Sequence, residues 1–361
     1  MKRRALLAGL ASSGLVALVV AVACLTSGCS TIGYYAQSVS GHLALVNSAK
    51  PVEDWLADPK TGPALRERLL LSQRIRDFAV TELKEPDNAS YRRYADLHRS
   101  AAVWNVVAAP ELSLTLKTWC FVVVGCVGYR GYYERADADA FAAEQQAAGL
   151  ETSVYGVPAY STLGALPGER LADPLLNTFI YYPEGELARL IFHELAHQIA
   201  YAKGDTEFNE SFATAVERIG GERWLRLHAS EQARDEYQRF DARRRDFRAL
   251  TGRYRGELDA LYRSDTPDAE KRTRKTALYA AMRADYERLK RERWGGFSGY
   301  DGWFARANNA SLGVLAAYNE LVPAFLKLFE REGDDFTRFY AEVRRLAVLR
   351  DSQERRAALA R

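Results

Sequence analysis

The spacing of hydrophobic positions divides this chain into stretches of different period. Through residues 34–100 apolar positions recur mostly at helical spacing. Residues 34–49 predict one helix, stopped by Pro51. Thr61-Gly62-Pro63 opens a second, with Pro in its first turn and Leu69, Leu70, Leu71, Ile75 and Phe78 along it, and Glu85-Pro86-Asp87-Asn88 ends it. The pattern then takes on strand composition. Residues 102–107 and 112–117 partly alternate and are broken at Pro110-Glu111. Residues 119–131 are rich in Gly, Val and aromatic side chains, residues 137–148 predict a helix ended by Gly149, and residues 151–156 a further strand. Helical spacing returns at 187–201, ending near Lys203-Gly204, because Gly favours the left-handed C-terminal cap. Asp205 or Thr206 can cap the next helix, 207–217. Beyond Gly220-Gly221, residues 223–294 carry Trp224, Leu227, Tyr237, Phe247, Tyr254 and Leu258 at mostly helical spacing in a charged background. A break at Ser264-Asp265-Thr266-Pro267 splits this region into two long helices, an antiparallel hairpin. Residues 301–349 are helical again. The fold class this predicts is α+β, mostly helical.

The N-terminus changes the picture of where the chain works. Met1-Lys2-Arg3-Arg4 precedes an uncharged apolar run over 5–25, the basic region and hydrophobic core of a secretory signal. Thr26-Ser27-Gly28-Cys29 follows. Small residues before a Cys resemble the bacterial lipobox, in which Cys29 is lipidated and begins the mature chain, making 1–28 the signal peptide. The alternative is an uncleaved membrane anchor. Either way the rest of the chain is exported and tethered to a membrane. Ser30 after the Cys resembles the signal for the outer membrane, so the expected location is its periplasmic face.

Charge and cysteine usage narrow the partners. The formal net charge of +3 is matched by Lys2, Arg3 and Arg4 alone, so the exported body is near neutral and no nucleic-acid partner is expected. Of four Cys, Cys24 falls in the signal and Cys29 is the lipid candidate. Cys120 and Cys126 remain, and two cysteines in an exported chain suggest a disulfide closing a small loop, with two buried thiols as the alternative. Arg243-Arg244-Arg245 in the hairpin reads either as a solvated face or as a surface for a protein partner.

The chemistry is concentrated in the 187–201 helix, which contains His193-Glu194-Leu195-Ala196-His197. Positions four apart lie on one helix face, so His193 and His197 can bind one metal ion side by side. Glu194, one step round, is placed as the general base acting on a metal-bound water. A catalytic Zn2+ needs a third protein ligand. The short turn after Gly204 brings the start of the 207–217 helix back towards the two histidines, and this selects Glu210. Glu207 in the first turn is explained by the helix dipole. Glu217, two turns beyond Glu210, reads as a carboxylate holding a ligand His from behind, or as a solvated or capping carboxylate.

The pairing of His-Glu-x-x-His with a following Asn209-Glu210 helix resembles the glutamate-type zincins, whose third ligand is that Glu. A closer resemblance is to a bacterial family of predicted zinc aminopeptidases, often lipoproteins. The matching stretches are residues 28–35, Trp119-Cys120, Gly125-Cys126, Tyr129-Arg130-Gly131-Tyr132, residues 159–164 and residues 192–198. The resemblance implies a zincin-like core with a small sheet ahead of the zinc helix, one Zn2+ ion and a peptide substrate. It divides the chain into 1–28, 29–222 with the zinc site, the hairpin 223–294, and 295–361 completing the catalytic domain. Residues 157–164, with Tyr160 and Ser161, are placed along the substrate; a plain surface loop is the alternative. Tyr318 is expected to donate to the oxyanion. Asn308 and Asn309 are expected to contact substrate amides, or else to pack and cap helices. Two other functions remain open at this stage: a non-catalytic, membrane-tethered scaffold with structural zinc, and a zinc hydrolase of a non-peptide amide.

Overall fold

The computed structural model describes residues 33–121, 125–159, 171–317 and 320–360. It divides into two units, 1–45 and 46–361. Helix α1 spans 33–48. Among the described residues no helix is long and apolar enough to cross a membrane. The fold class is α+β and mostly helical.

After α1 come β1 (Lys50–Pro51), α2 (Val52–Ala57) and α3 (Pro63–Thr81). Pro63 stands at the first position of α3, where its missing N–H costs nothing. The sheet region holds β2 (Arg93–Ala95), β3 (Val103–Pro110), β4 (Trp119–Phe121), β5 (Gly125–Val127), β6 (Arg130–Tyr132), α4 (Arg135–Ala147), β7 (Leu150–Val157) and β8 (Leu175–Leu176). β3 is the middle strand of an antiparallel sheet in the order β6-β3-β7. Its residues are buried almost without alternation: Val106, Val107, Ala108 and Ala109 are all at 0 % exposure. Successive side chains point to opposite faces, so both faces are covered. The Val107 and Ala109 face packs on Ala310 of a later helix, and α4 packs on the same strand.

One expected strand is absent. Residues 112–117 are irregular, and the strand before them runs on through Pro110. Pro110 can end the strand because its only ladder partner is Leu150 at the end of β7. Residues 112–117 instead pack as a covering segment, with Leu114 in the hairpin's core and Leu116 beside Val107 and Ala310. β4 and β5 pair with Cys120 opposite Cys126, and the two are joined by a disulfide.

The helical half comprises α5 (Glu184–Ala196), α6 (Thr206–His228), α7 (Glu231–Arg263), α8 (Asp268–Glu292), α9 (Asp301–Arg306), α10 (Asn309–Ala317), α11 (Val322–Arg331), α12 (Phe336–Ala347) and α13 (Ser352–Leu359). α5 and α6 form the central pair. Leu187, Ala188, Ile191, Phe192, Leu195 and Ala196 of α5 are fully buried, as are Phe212, Ala213, Ala215 and Val216 of α6. Phe212 meets Phe325, Phe339 and Tyr340, tying α11 and α12 to the pair. α6 does not stop at Gly220-Gly221, so the hairpin begins at Glu231 rather than 223. Those glycines are contact points within the helix. A Cβ on Gly220 would lie 2.6 Å from Leu83 and 2.9 Å from Phe192, and one on Gly221 would lie 2.6 Å from Cγ of Arg189.

The hairpin α7–α8 breaks where the sequence places the turn, between Arg263 and Asp268. Its basic triplet makes contacts within the chain, with Arg245 left exposed. Arg243 lies over the Phe297 ring, Arg244 pairs with Glu186 and Arg245 with Asp241.

Candidate metal centre

α5 is shorter than its hydrophobic pattern predicts, ending at Ala196 with His197 as its C-cap residue. The chain then makes tight turns, Gln198 N donating to Leu195 O and Ile199 N to Ala196 O. The reason lies on α6. The Asn209 side chain accepts from Ala202 N at 2.7 Å and donates to Ala202 O at 2.9 Å, satisfying both backbone groups that a helix would have used. Asp205 caps α6 through Phe208 N, and its other oxygen accepts from buried Arg355 of α13 at 2.7 Å. The disulfide-linked hairpin abuts this turn, since a Cβ on Gly125 would lie 3.0 Å from Gly204 N.

This folding brings the expected donors together. The rings of His193 and His197 lie 4.9 Å apart. His193 Nε2 is 3.2 Å from Glu210 Oε2, and His197 Nε2 is 3.7 Å from the same oxygen. Among the described residues these three form a group whose ligand atoms all lie within 4.8 Å of one another. Two imidazole nitrogens and a carboxylate oxygen form a donor set that suits zinc with a position left for substrate. The charges fit a cation as well. Burial disfavours charge on His193, yet Glu210 and Glu217 outweigh it and raise its pKa well above the usual imidazole value. Burial likewise works against the Glu210 carboxylate, and His197 and His193 outweigh it, holding that carboxyl well below its usual range.

Glu217 stands behind His193. Its Oε2 lies 3.0 Å from Nδ1, while its Oε1 is held by Arg189, one turn earlier on α5. Burial disfavours the Glu217 carboxylate, but Arg189 and then His193 bring it down to about 2. A carboxylate on Nδ1 fixes the tautomer that leaves Nε2 as ligand. His197 Nδ1 is buried with no hydrogen-bond partner among the described residues, so the two histidines are supported differently. Glu207 points elsewhere and pairs with Arg356.

Glu194 lines a cleft with His193. Its pKa is raised, by burial first and by Glu210 and Glu217, with His193 and His197 opposing. Three tyrosines that sequence spacing did not single out feel the charges of this centre. Tyr91 is 1 % exposed with φ +63°, and its buried hydroxyl has no partner among the described residues. Burial and then the Glu194 charge raise its pKa well above the usual phenol value. Its segment is anchored by buried Arg76, which donates to Ser90 O and Pro86 O. The same segment grips the residue after the motif, through Asn88 to Gln198 at 2.7 Å. Burial pushes Tyr155 up to about 12, the neighbouring Asn105 side chain opposing and the Glu210 charge adding. Burial and the same charge raise Tyr201. Nothing local marks Tyr91 or Tyr155, which lie in the segment before β2 and in β7.

Asn308 and Asn309 both sit in hydrogen-bond networks at the start of α10. Asn309 is fully buried, and its side chain accepts from Tyr262 and Tyr279 and donates to Pro110 O and Glu111 O. Asn308 caps α10 by accepting from Ser311 N and donates to Thr152 O. These bonds suit the packing and capping that the sequence offered as the alternative to a substrate contact. Cys29, Tyr160, Ser161 and Tyr318, together with the signal segment, lie outside the described residues.

No curated protein and no solved structure matches this chain. The model of a family described as "Putative aminopeptidase" matches residues 33–359, from α1 to α13 and across all three donors, and the chain belongs to that family.

Proposed function

We propose that the protein is a zinc-dependent peptidase, with one Zn2+ ion held by His193, His197 and Glu210 and with Glu194 as general base. The observation that carries this reading is the convergence of the two Nε2 atoms and one Glu210 oxygen within 4.8 Å, with Glu194 beside them on the cleft. Membership of an aminopeptidase family supports the peptide-bond substrate. Bound zinc supplies a Lewis acid that polarises a carbonyl and makes water acidic near neutrality. Glu194 takes the proton from the attacking water and returns it to the leaving amine. Glu217 keeps His193 Nε2 free of a proton by holding Nδ1, and Arg189 fixes Glu217.

The proposed location is an exported body, tethered through Cys29. The Cys120–Cys126 disulfide supports an oxidising compartment.

The test is a mixed peptide library presented to the purified protein, with products read by mass analysis. Peptide cleavage should vanish with a chelator and return with zinc. Glu194→Gln should keep its zinc and lose roughly 10²–10⁴-fold in turnover, what a general base contributes. Wild-type turnover by that variant, with its metal content measured, refutes the mechanism. Peptide cleavage that persists without metal refutes the zinc.

A further inference from the structure

The two histidines of the metal centre are supported in different ways. His193 lies within α5, with Glu217 on its Nδ1 and Arg189 behind that carboxylate. His197 is the C-cap residue of α5, and its buried Nδ1 has no hydrogen-bond partner among the described residues. A helix end frays more readily than a helix interior. A metal ligand placed there keeps its position only if the chain just beyond it is held.

That chain is held from outside the helix. Gln198, the next residue, uses both halves of its side-chain amide. Its Oε1 accepts from Asn88 Nδ2 at 2.7 Å, and its Nε2 donates to Ser90 Oγ at 3.1 Å. A tie is only as stiff as its far end, and here the far end is braced. Arg76 of α3 is at 0 % exposure and donates to Pro86 O at 2.6 Å, to Ser90 O at 3.0 Å and to Asn88 O at 3.2 Å. Ser90 N donates to Asn88 Oδ1 at 3.0 Å and closes a local turn. Tyr91 N donates to Asp173 O at 2.7 Å, and the Gln73 amide donates to Tyr91 O.

We propose that Gln198 is a positioning residue for the metal ligand His197, acting through Asn88 and Ser90 on the braced segment 86–91. The proposal rests on the zinc reading of the site. It gives His197, by way of the backbone, the restraint that Glu217 gives His193 through its ring. Gln198 is not itself a ligand in this role. Removing its amide leaves all three donors in the chain and loosens the place where one of them stands.

Two variants cut the tie from opposite ends. Gln198→Met keeps the length and bulk of the side chain and removes both bonds. Asn88→Ala removes the other partner, at an exposed residue. Zinc affinity is measured by competition with a chelator, and Co2+ put in place of zinc reports ligand number and geometry through its visible spectrum. Each variant should weaken zinc binding by roughly 10–100-fold, the range for partners that hold a ligand in place, and should change the cobalt spectrum. The double variant should lose little more than the weaker-binding single variant, because both cut one tie. Gln198→Glu still accepts from Asn88 and should keep most of the affinity. A merely structural role would lower the denaturant midpoint of the metal-free protein and leave the cobalt spectrum of the folded protein unchanged. Wild-type affinity and an unchanged spectrum in Asn88→Ala and Gln198→Met overturn the proposal. So do losses that multiply in full in the double variant, since the two side chains would then act separately. If Gln198→Met does not fold, Asn88→Ala decides alone. Wild-type protein that takes up no zinc refutes the zinc reading and this proposal with it. Wild-type protein that binds zinc no better than either variant refutes the positioning alone.

Discussion

Two glutamates seven positions apart on α6 both touch His193, one on each ring nitrogen, and this divides their work. Glu210 meets Nε2, where His197 also points, and Glu217 meets Nδ1 from behind with Arg189 at its back. Glu210→Gln removes a charged donor from the metal position and should weaken zinc binding sharply. Glu217→Gln keeps a group able to accept from Nδ1 and should cost about 10–100-fold, the range for partners that hold a ligand in place. Metal titration of the two variants side by side tests the order, and tighter zinc retention by the Glu210 variant reverses the assignment. The geometry of His193, Glu194, His197 and Glu210 was legible in the sequence because it is local: one helical turn, one short connection, one helix start. Arg189 was not singled out, although it sits one turn before His193. Its role depends on Glu217, Tyr237 and Asp241 gathering around it, and helical spacing does not announce that. Asn209 was legible as half of an Asn-Glu pair, and its job of closing the turn at Ala202 required the structure.

At the scale of elements, periodicity predicted most helices and failed where an outside partner took over the backbone. α5 ends early because Asn209 satisfies Ala202, and 112–117 is no strand because it packs beneath the hairpin. Gly220 and Gly221 read as a helix end and are instead where α6 lies against α5 and against Leu83, just past α3. This gives a prediction of opposite signs for one kind of change. In a helix, Gly→Ala ordinarily stabilises by roughly 0.5–1 kcal/mol. Gly256 of α7 has nothing within 4 Å of an added Cβ, so Gly256→Ala should show that gain. Gly220→Ala would place its methyl 2.6 Å from Leu83 and 2.9 Å from Phe192, so overpacking should win by about 1–3 kcal/mol. Denaturant midpoints of the two variants decide it, and a stabilised Gly220→Ala would mean the α5–α6 contact has room to spare.

At the scale of the whole molecule, the sheet and the hairpin are distant in sequence, and Asn309 bonds to both. Asn309 accepts from the hydroxyls of Tyr262 on α7 and Tyr279 on α8, at 2.8 and 2.9 Å. It donates to Pro110 O at the end of β3 and to Glu111 O, and its backbone N–H donates to Glu151 of β7. Glu151 in turn pairs with Lys275 of α8. The hairpin carries the cleft wall at Arg244, Phe247 and Arg248, so this junction helps hold that wall beside His193 and Glu194. In Asn309→Ala the hydroxyls of buried Tyr279 and half-buried Tyr262 would lose their acceptor, while Pro110 O keeps Ser113 N and Glu111 O keeps Lys275 Nζ, and each buried group left unsatisfied costs on the order of 1–3 kcal/mol. A loss of about 2–3 kcal/mol is expected, most of it from the buried Tyr279 hydroxyl. Asn309→Asp keeps the acceptor for the two tyrosines and loses the donors to the carbonyls, so it should remain clearly destabilised. The kinetic prediction separates this role from the substrate contact that position 309 suggests in the sequence. With folded protein quantified at low temperature, KM should stay near the wild-type value, because the side chain is fully buried and touches no part of the cleft. A variant with wild-type stability and a raised KM would show Asn309 reaching the substrate after all.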